Sequence, residues 1–477
     1  MADAQTQGRN RLALRAGVWY TISNIATKAI LVLTTPIFTR VMTLSDYGVA
    51  ANFTAWYSLL ITFCTLNLTY SIGRAKLDFP GRLDAYVGTM QVVAMLCSLL
   101  LAGLGIVFRQ PVARLLDLPP KLVPLLALYL LFAPTTALYQ AKYKYQYRYR
   151  ENLFITGYTA VASVGVSLML VFAMPQERYL GRVLGAVLPA VALGGVFWVQ
   201  AARRGRLALE RTFVRYGLMI SLPLILNSLS LNILAQSDRV VITKVWGSEA
   251  TAVYTLAYQY AILISLVLDS IGQAWLPWFH DAYAAGDHLP IRQNLKPLIL
   301  LGCYVGAACI AIAPEAMHLL GGAGYREGRW AVAPIVLGLV CKFIYGNYEH
   351  IELHLKKTRY IAMGTVLATA INLALNLLFV PRFGFVAAGY TTFFSYFVLM
   401  SVHYGITRHG LHVNVYDHRF MYLTILLETL LAMLLLWLDP YPLARFAVLG
   451  LMTLAAIWRS RSLITALWRR KRSAGRA

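Results

Sequence analysis

Tyr86–Phe108 reads YVGTMQVVAMLCSLLLAGLGIVF, a run without a single Asp, Glu, Lys or Arg. At 1.5 Å per residue a helix of this length reaches about 34 Å, enough to cross the roughly 30 Å apolar core of a bilayer. Comparable runs recur on both sides of it. Fourteen spans are predicted, from about 16–40 to about 441–458, joined by short connections with no loop long enough for a soluble domain. Lipid offers no partner for an open backbone N–H or C=O, so each span must be helical. The expected class is an all-α polytopic membrane protein. Composition agrees: 59% of the 477 residues are apolar and 13% charged, against about 25% charged in soluble domains. This excludes a soluble enzyme, a disordered chain and a secreted disulfide scaffold. The five cysteines lie in apolar runs without metal-ligand spacing, so they read as buried small hydrophobes, and neither metal nor cofactor is expected.

The net charge of +23 needs a location. With fourteen spans, 29 of the 43 Lys and Arg fall on the side of the N-terminus and 12 on the other. Two, Lys28 and Lys342, fall inside spans. The positive-inside rule then puts both termini in the cytoplasm, and the basic start of the chain reads as an uncleaved first helix rather than a signal peptide.

A weak internal repeat is present. Ser45-Asp46-Tyr47-Gly48 matches Ser248-Glu249-Ala250-Thr251 at an offset of 203, each preceded by an Arg-Val pair, Arg40-Val41 and Arg239-Val240. Gly157 pairs with Gly364, and Leu184-Gly185 with Ala388-Gly389, at nearly the same offset. A duplication of six spans in parallel orientation implies a pseudo-two-fold along the membrane normal and a cleft between two lobes. The expected organisation is a six-helix lobe over 1–213, a second over 214–410, and an additional helix pair with a basic tail over 411–477.

Three segments carry a family resemblance: Thr39-Arg40-Val41-Met42-Thr43-Leu44-Ser45-Asp46-Tyr47-Gly48, Ser237-Asp238-Arg239-Val240-Val241-Ile242, and Val380-Pro381-Arg382-Phe383-Gly384-Phe385-Val386-Ala387-Ala388-Gly389. Over roughly residues 10–410 the chain resembles the polysaccharide/oligosaccharide flippase family, whose superfamily also holds the multidrug and toxin extrusion antiporters and the lipid II flippase. It departs from the family pattern at Thr251-Ala252-Val253-Tyr254, where a Gly often precedes the Tyr. The resemblance implies export of an oligosaccharide on undecaprenyl pyrophosphate from the cytoplasmic to the outer leaflet of a bacterial inner membrane. The implied partners are that lipid-linked oligosaccharide, membrane lipids and other polysaccharide-assembly proteins.

The residues support such a substrate independently. Ionisable groups inside spans usually face a protein interior or a water-filled cavity. Thr21, Asn24, Lys28 and Thr35 share one face of the first span; Tyr254, Tyr258, Ser265, Asp269 and Gln273 share a face of the eighth; Lys342, Tyr345 and Glu349 share one of the tenth. Span 7 carries Asn227, Ser228, Ser230, Asn232 and Gln236, and span 11 Thr365, Thr369, Asn372 and Asn376. Converging, these would line a polar cleft. Amides, hydroxyls and aromatic faces suit sugars, and lysines suit a pyrophosphate. The candidate substrate-binding residues are therefore Asn24, Lys28, Arg74, Asn227, Tyr258, Lys342 and Tyr345, and Asp269 is the candidate coupling carboxylate.

Plainer readings stand beside these. Polar stripes can be interhelical glue, favoured for the span 11 stripe. Asp269 can simply pair with a cavity cation. Asp46, Arg40, Asp238 and Arg239 read as caps or salt bridges at span ends, and Glu428 as glue or an ion pair. The segment 139–150 interleaves five tyrosines with Lys142, Lys144, Arg148 and Arg150. It reads as an interfacial belt before a loading surface, and nucleic acid is not an expected partner. Pro36 and Pro223, in corresponding spans, are expected to bend their helices. The alternatives in function are a drug antiporter of the same fold, disfavoured by a cationic cleft, and a membrane polymerase or glycosyltransferase. The latter is disfavoured by short loops and the lack of paired carboxylates.

Overall fold

The computed structural model describes residues 2–203, 207–286 and 288–474, with side chains described for 19, 22, 23, 25–203, 207–286 and 288–458. The described residues form helices joined by short turns, with no strand among them. The helices are α1 (Ala2–Val41), α2 (Leu44–Thr65), α3 (Ser71–Asp78), α4 (Leu83–Val107), α5 (Arg109–Leu116), α6 (Leu122–Tyr145), α7 (Tyr149–Ala173), α8 (Arg178–Arg203), α9 (Arg211–Ala261), α10 (Leu263–Ala284), α11 (His288–Gly321), α12 (Arg329–His354), α13 (Thr358–Phe383), α14 (Val386–Gly405), α15 (His418–Trp437) and α16 (Pro442–Ala474).

Among the described residues nine helical stretches are long and apolar enough to cross a membrane, ten when α2 and α3 count as one bent span. One of the nine, Arg211–Ala284, runs 74 residues, about 110 Å of helix. It doubles back at Gly247, whose φ of 80° only glycine adopts readily. The Tyr254 hydroxyl donates across this hairpin to Asp238, and the Thr243 and Thr251 hydroxyls stand 2.7 Å apart. The count of fourteen is thus not reached by length and hydropathy alone, since α1, α14 and α16 fall outside that measure.

Several span boundaries differ from expectation; α11 and α16, for instance, outrun the spans expected over 296–313 and 441–458. The first helix begins at Ala2 rather than near residue 16. The second span, expected unbroken over 47–70, bends by 56° after α2, where Leu66 and Asn67 take left-handed φ values of 45° and 55°. The eighth tightens by one turn at Ile262, between α9 and α10, where Ser265 N bonds Ile262 O and the backbone stays right-handed helical.

One end of the molecule gathers the α1–α2 turn, the start of α8, the α9 hairpin, the end of α11 and the turn from α15 to α16. Arg178 reaches Val41 O, Arg40 reaches Leu319 O, and Arg445 at the start of α16 bonds Glu315 on α11. We call this the distal end; α1 and α16 both run from it towards the proximal end, where the chain termini lie. Two apolar cores draw on residues up to Phe213. A third lies mostly from Leu234 onward, joined by Phe38, Met42, Tyr47 and Val171. Helices α1–α8 are called here the first bundle and α9–α14 the second. Small residues set the close crossings: a Cβ at Gly185 on α8 would stand 2.0 Å from Ser167 Oγ on α7.

Candidate functional site

The α1–α2 turn explains where the site begins. Thr43 caps α2, its hydroxyl accepting from Asp46 N at 3.1 Å, and Asp46 Oδ1 accepts from Tyr179 N at the start of α8. Asp46 thus ties the α1–α2 turn to the start of α8, and Arg40 ties it to the end of α11 through Leu319 O. This turn aims Tyr47 inward. Its hydroxyl donates to Gln259 Oε1 at 2.9 Å, joining α2 to α9.

Below that bond lies a cavity of about 320 Å³ between the bundles, with walls from α1, α2, α7, α8 and α9. Two guanidinium groups face it, Arg182 of α8 and Arg239 of α9, with Gln236, Thr54 and Ser163 around them. Arg182 Cζ sits 3.9 Å from the Phe38 ring centroid and Arg239 Cζ 4.5 Å from that of Tyr258. Arg239 donates to Ala235 O and Gln236 Oε1. Among the described residues neither arginine has a carboxylate within 4.0 Å. Two positive charges held by rings and amides, without a counter-ion, leave a chamber complementary to a polyanion.

The sequence reading counts both arginines among the 12 basic residues opposite the N-terminus and takes Arg239 as a cap or salt bridge at a span end. The neighbouring Asp238 does not pair with Arg239. It is fully buried and accepts from Tyr254, from Asn376 Nδ2 at 2.7 Å and from Thr392 at 3.0 Å. Asn372 ties the same knot to Ser237 and Thr392, and Thr369 donates to Ser230 O. The α13 stripe is therefore buried glue between α9, α13 and α14. The usable signal in the sequence was Asp238-Arg239 as a pair: adjacent residues on a helix point about 100° apart, so one faced the second bundle's interior and the other the cavity.

The predicted site residues separate into groups. Lys28 is half-buried on α1, one turn proximal to the cavity-lining Leu31 on the same face. The side chains of Thr21 and Asn24 lie outside the described residues. Tyr258 is buried behind the cavity wall, its ring centroid 4.5 Å from the Cζ of the cavity-lining Arg239. Asn227 is half-buried further down α9, its Oδ1 without a partner. Arg74 is exposed on α3 and paired with Asp78 at 3.0 Å. Asp269, Lys342 and Tyr345 share a separate cavity of about 290 Å³ between α10 and α12, with Gln273 and Glu349. There Tyr345 lies 4.8 Å, centroid to centroid, from His403, whose Nδ1 meets Glu352 Oε1 at 2.7 Å in a fully buried pair. The segment 139–150 is largely bound internally: Lys142 pairs with Asp84 at 2.6 Å, Tyr139 stacks on Phe197, and Arg148 pairs with Glu151.

Residues 13–282 match the family described as polysaccharide biosynthesis protein. Over 317 residues the chain is 24% identical to the probable multidrug resistance protein YoeA of Bacillus subtilis (strain 168), covering 60% of this chain and 67% of that one. Its structure is similar to that of the lipid II flippase MurJ in an inward closed conformation, with a TM-score of 0.72 and 13% identity, covering 94% of this chain and 100% of the other. It also resembles an inward-facing MATE family multidrug resistance transporter of the MOP superfamily, with a TM-score of 0.56 and 15% identity over 82% and 98% of the two chains. The chain belongs to the polysaccharide biosynthesis protein family, and it is an all-helical multi-pass membrane protein with the fold that MurJ and the MATE transporters share.

Proposed function

We propose that this protein flips an oligosaccharide carried on undecaprenyl pyrophosphate from the cytoplasmic to the outer leaflet of the bacterial inner membrane, for surface polysaccharide assembly. The observation that carries this reading is the pair of guanidinium groups, Arg182 and Arg239, that line the chamber between the bundles with no carboxylate within 4.0 Å among the described residues. Desolvating a pyrophosphate is costly, and fixed cations with no competing carboxylate offset that cost. Tyr47, Gln236 and Gln259 supply donors and acceptors for sugar hydroxyls.

In this reading the proximal end, rich in Lys and Arg, faces the cytoplasm. Arg74 and Lys28 meet the pyrophosphate on entry, and Asn24, Asn227, Tyr258, Lys342 and Tyr345 contact the head group along the way. The bundles rock about the chamber to alternate access, and Asp269 answers a coupling cation. The name of the Bacillus relative favours a second reading, an antiporter of small drugs. The chamber's positive charge disfavours cationic drugs.

The test is translocation of a labelled undecaprenyl-pyrophosphate oligosaccharide in proteoliposomes. Flipping by the native chain and its loss in Arg182→Ala with Arg239→Ala are expected. An unchanged leaflet distribution across imposed ion gradients overturns the proposal.

A further inference from the structure

Glu428 lies in the middle of α15, outside the repeated helices, and is 5% exposed. Its sequence reading was glue or an ion pair. The structure shows neither: Oε1 has no hydrogen-bond partner, and no cation stands within 4.0 Å of the carboxyl among the described residues. Three helices converge on it. A Cβ at Gly306 of α11 would stand 3.1 Å from Glu428 Oε1, 3.3 Å from Val336 Cγ1 of α12 and 3.4 Å from Ile264 Cδ1 of α10. The titratable group facing it from α11 is the Cys303 thiol; α10 and α12 present these apolar side chains. An ionised carboxylate here would have little water and no counter-charge within 4.0 Å among the described residues, an environment that favours the neutral acid.

Two features connect this pocket to the rest of the molecule. Ile264 lies two residues beyond Ile262, where α9 passes into α10 through a tightened helical turn with Ser265 N bonded to Ile262 O. About one turn nearer the proximal end lie Leu268, Gly302 and Leu339. Leu268 and Leu339 line the cavity that holds Asp269, Lys342 and Glu349, and a Cβ at Gly302 would touch Leu268 and Phe343. One turn of apolar side chains thus separates Glu428 from that polar cavity, so a small shift of α10 would join the two.

We propose that Glu428 is a proton-binding site, loaded while the distal ends of the bundles are closed and emptied into the Lys342 cavity when α10 moves. The site lies outside the chamber assigned to the substrate and stands whether or not that assignment holds. Linkage makes the closure and the proton mutually stabilising.

The test uses infrared spectroscopy of the full chain in liposomes without substrate. At neutral pH the carbonyl band of an un-ionised, buried carboxylic acid is expected, and it should vanish in Glu428→Gln. Should that variant not fold, the native chain is treated at neutral pH with dicyclohexylcarbodiimide. A nitrogen of the carbodiimide takes the acid's proton and the carboxylate oxygen adds to its central carbon, with no leaving group, so the peptide holding Glu428 gains one whole carbodiimide. No acid band assignable to Glu428, or no adduct there, overturns the proton site. A Ser45→Cys/Ser248→Cys disulfide, closing the distal end, should raise the pH at which the band disappears by about one unit or more, a tenfold change in proton affinity. An unchanged midpoint overturns the coupling.

Discussion

Ser45 Oγ and Ser248 Oγ stand 3.0 Å apart, and they are the two serines that the 203-residue repeat offset makes equivalent. Residues related by a two-fold meet each other only close to its axis. Their contact therefore marks where the axis would cross the distal end, at the seam between the bundles. Gly48 tightens the seam, since a Cβ there would lie 1.7 Å from Ser248 O.

Gly48→Val is expected to hold the distal seam apart. Overpacking a close crossing costs about 1–3 kcal/mol, and backbone on the opposing side leaves no flexible atom to yield. The measurement is oxidative cross-linking of Ser45→Cys with Ser248→Cys: at least a tenfold slower rate is expected in the valine background. An unchanged rate would show that the seam closes without this glycine.

Arg182→Ala and Arg239→Ala are each expected to weaken binding of undecaprenyl pyrophosphate by about 10- to 100-fold, from roughly 1.5–3 kcal/mol per charge-assisted contact. Titration of the lipid into purified protein checks this. Lysine at either position should restore part of the affinity but not the ring stacking. Equal affinity in both alanine variants would remove the chamber from the binding site.

Asp238→Asn is expected to destabilise the second bundle without touching the cavity. The carboxylate accepts from three donors on α9, α13 and α14. An amide loses one acceptor and adds donors towards Asn376, at a cost of about 1–3 kcal/mol. The apparent thermal midpoint in detergent should fall, while lipid affinity in the surviving folded fraction stays near that of the native chain.

Asp417 offers a pH test outside the membrane. Lys296, at 2.6 Å, together with the N–H of Phe420 holds its carboxyl below the usual carboxylate range. A depressed folded value means its contribution is complete above the unfolded pKa, near 3.9, and is lost as pH falls through the folded value. The pair is partly exposed, so the effect is at most about 1 kcal/mol. Asp417→Asn should lower the thermal midpoint near neutral pH and leave it close to the native value in strong acid.

Most of the architecture was legible because lipid permits few solutions. An uncharged run such as Tyr86–Phe108 has to be a helix whatever surrounds it, and the repeated Ser-Asp-Tyr-Gly motif announced two related halves. The break at Leu66–Asn67 was not legible, for it interrupts an apolar run that carries no proline at that point. The site was read only in part. Lys28 and Tyr258 lie at or beside the chamber, but Lys342, Tyr345 and Asp269 lie in a different cavity.

The sequence by itself determined that this chain crosses a membrane many times, which family it belongs to and where its basic charge concentrates, since these follow from local hydropathy, motif and charge. Which ionisable groups have no partner among the described residues was decided by the tertiary structure alone. Whether Arg182, Arg239 or Glu428 has a partner depends on residues brought beside it by helices distant in the chain, and the low dielectric there makes the absence of a partner matter.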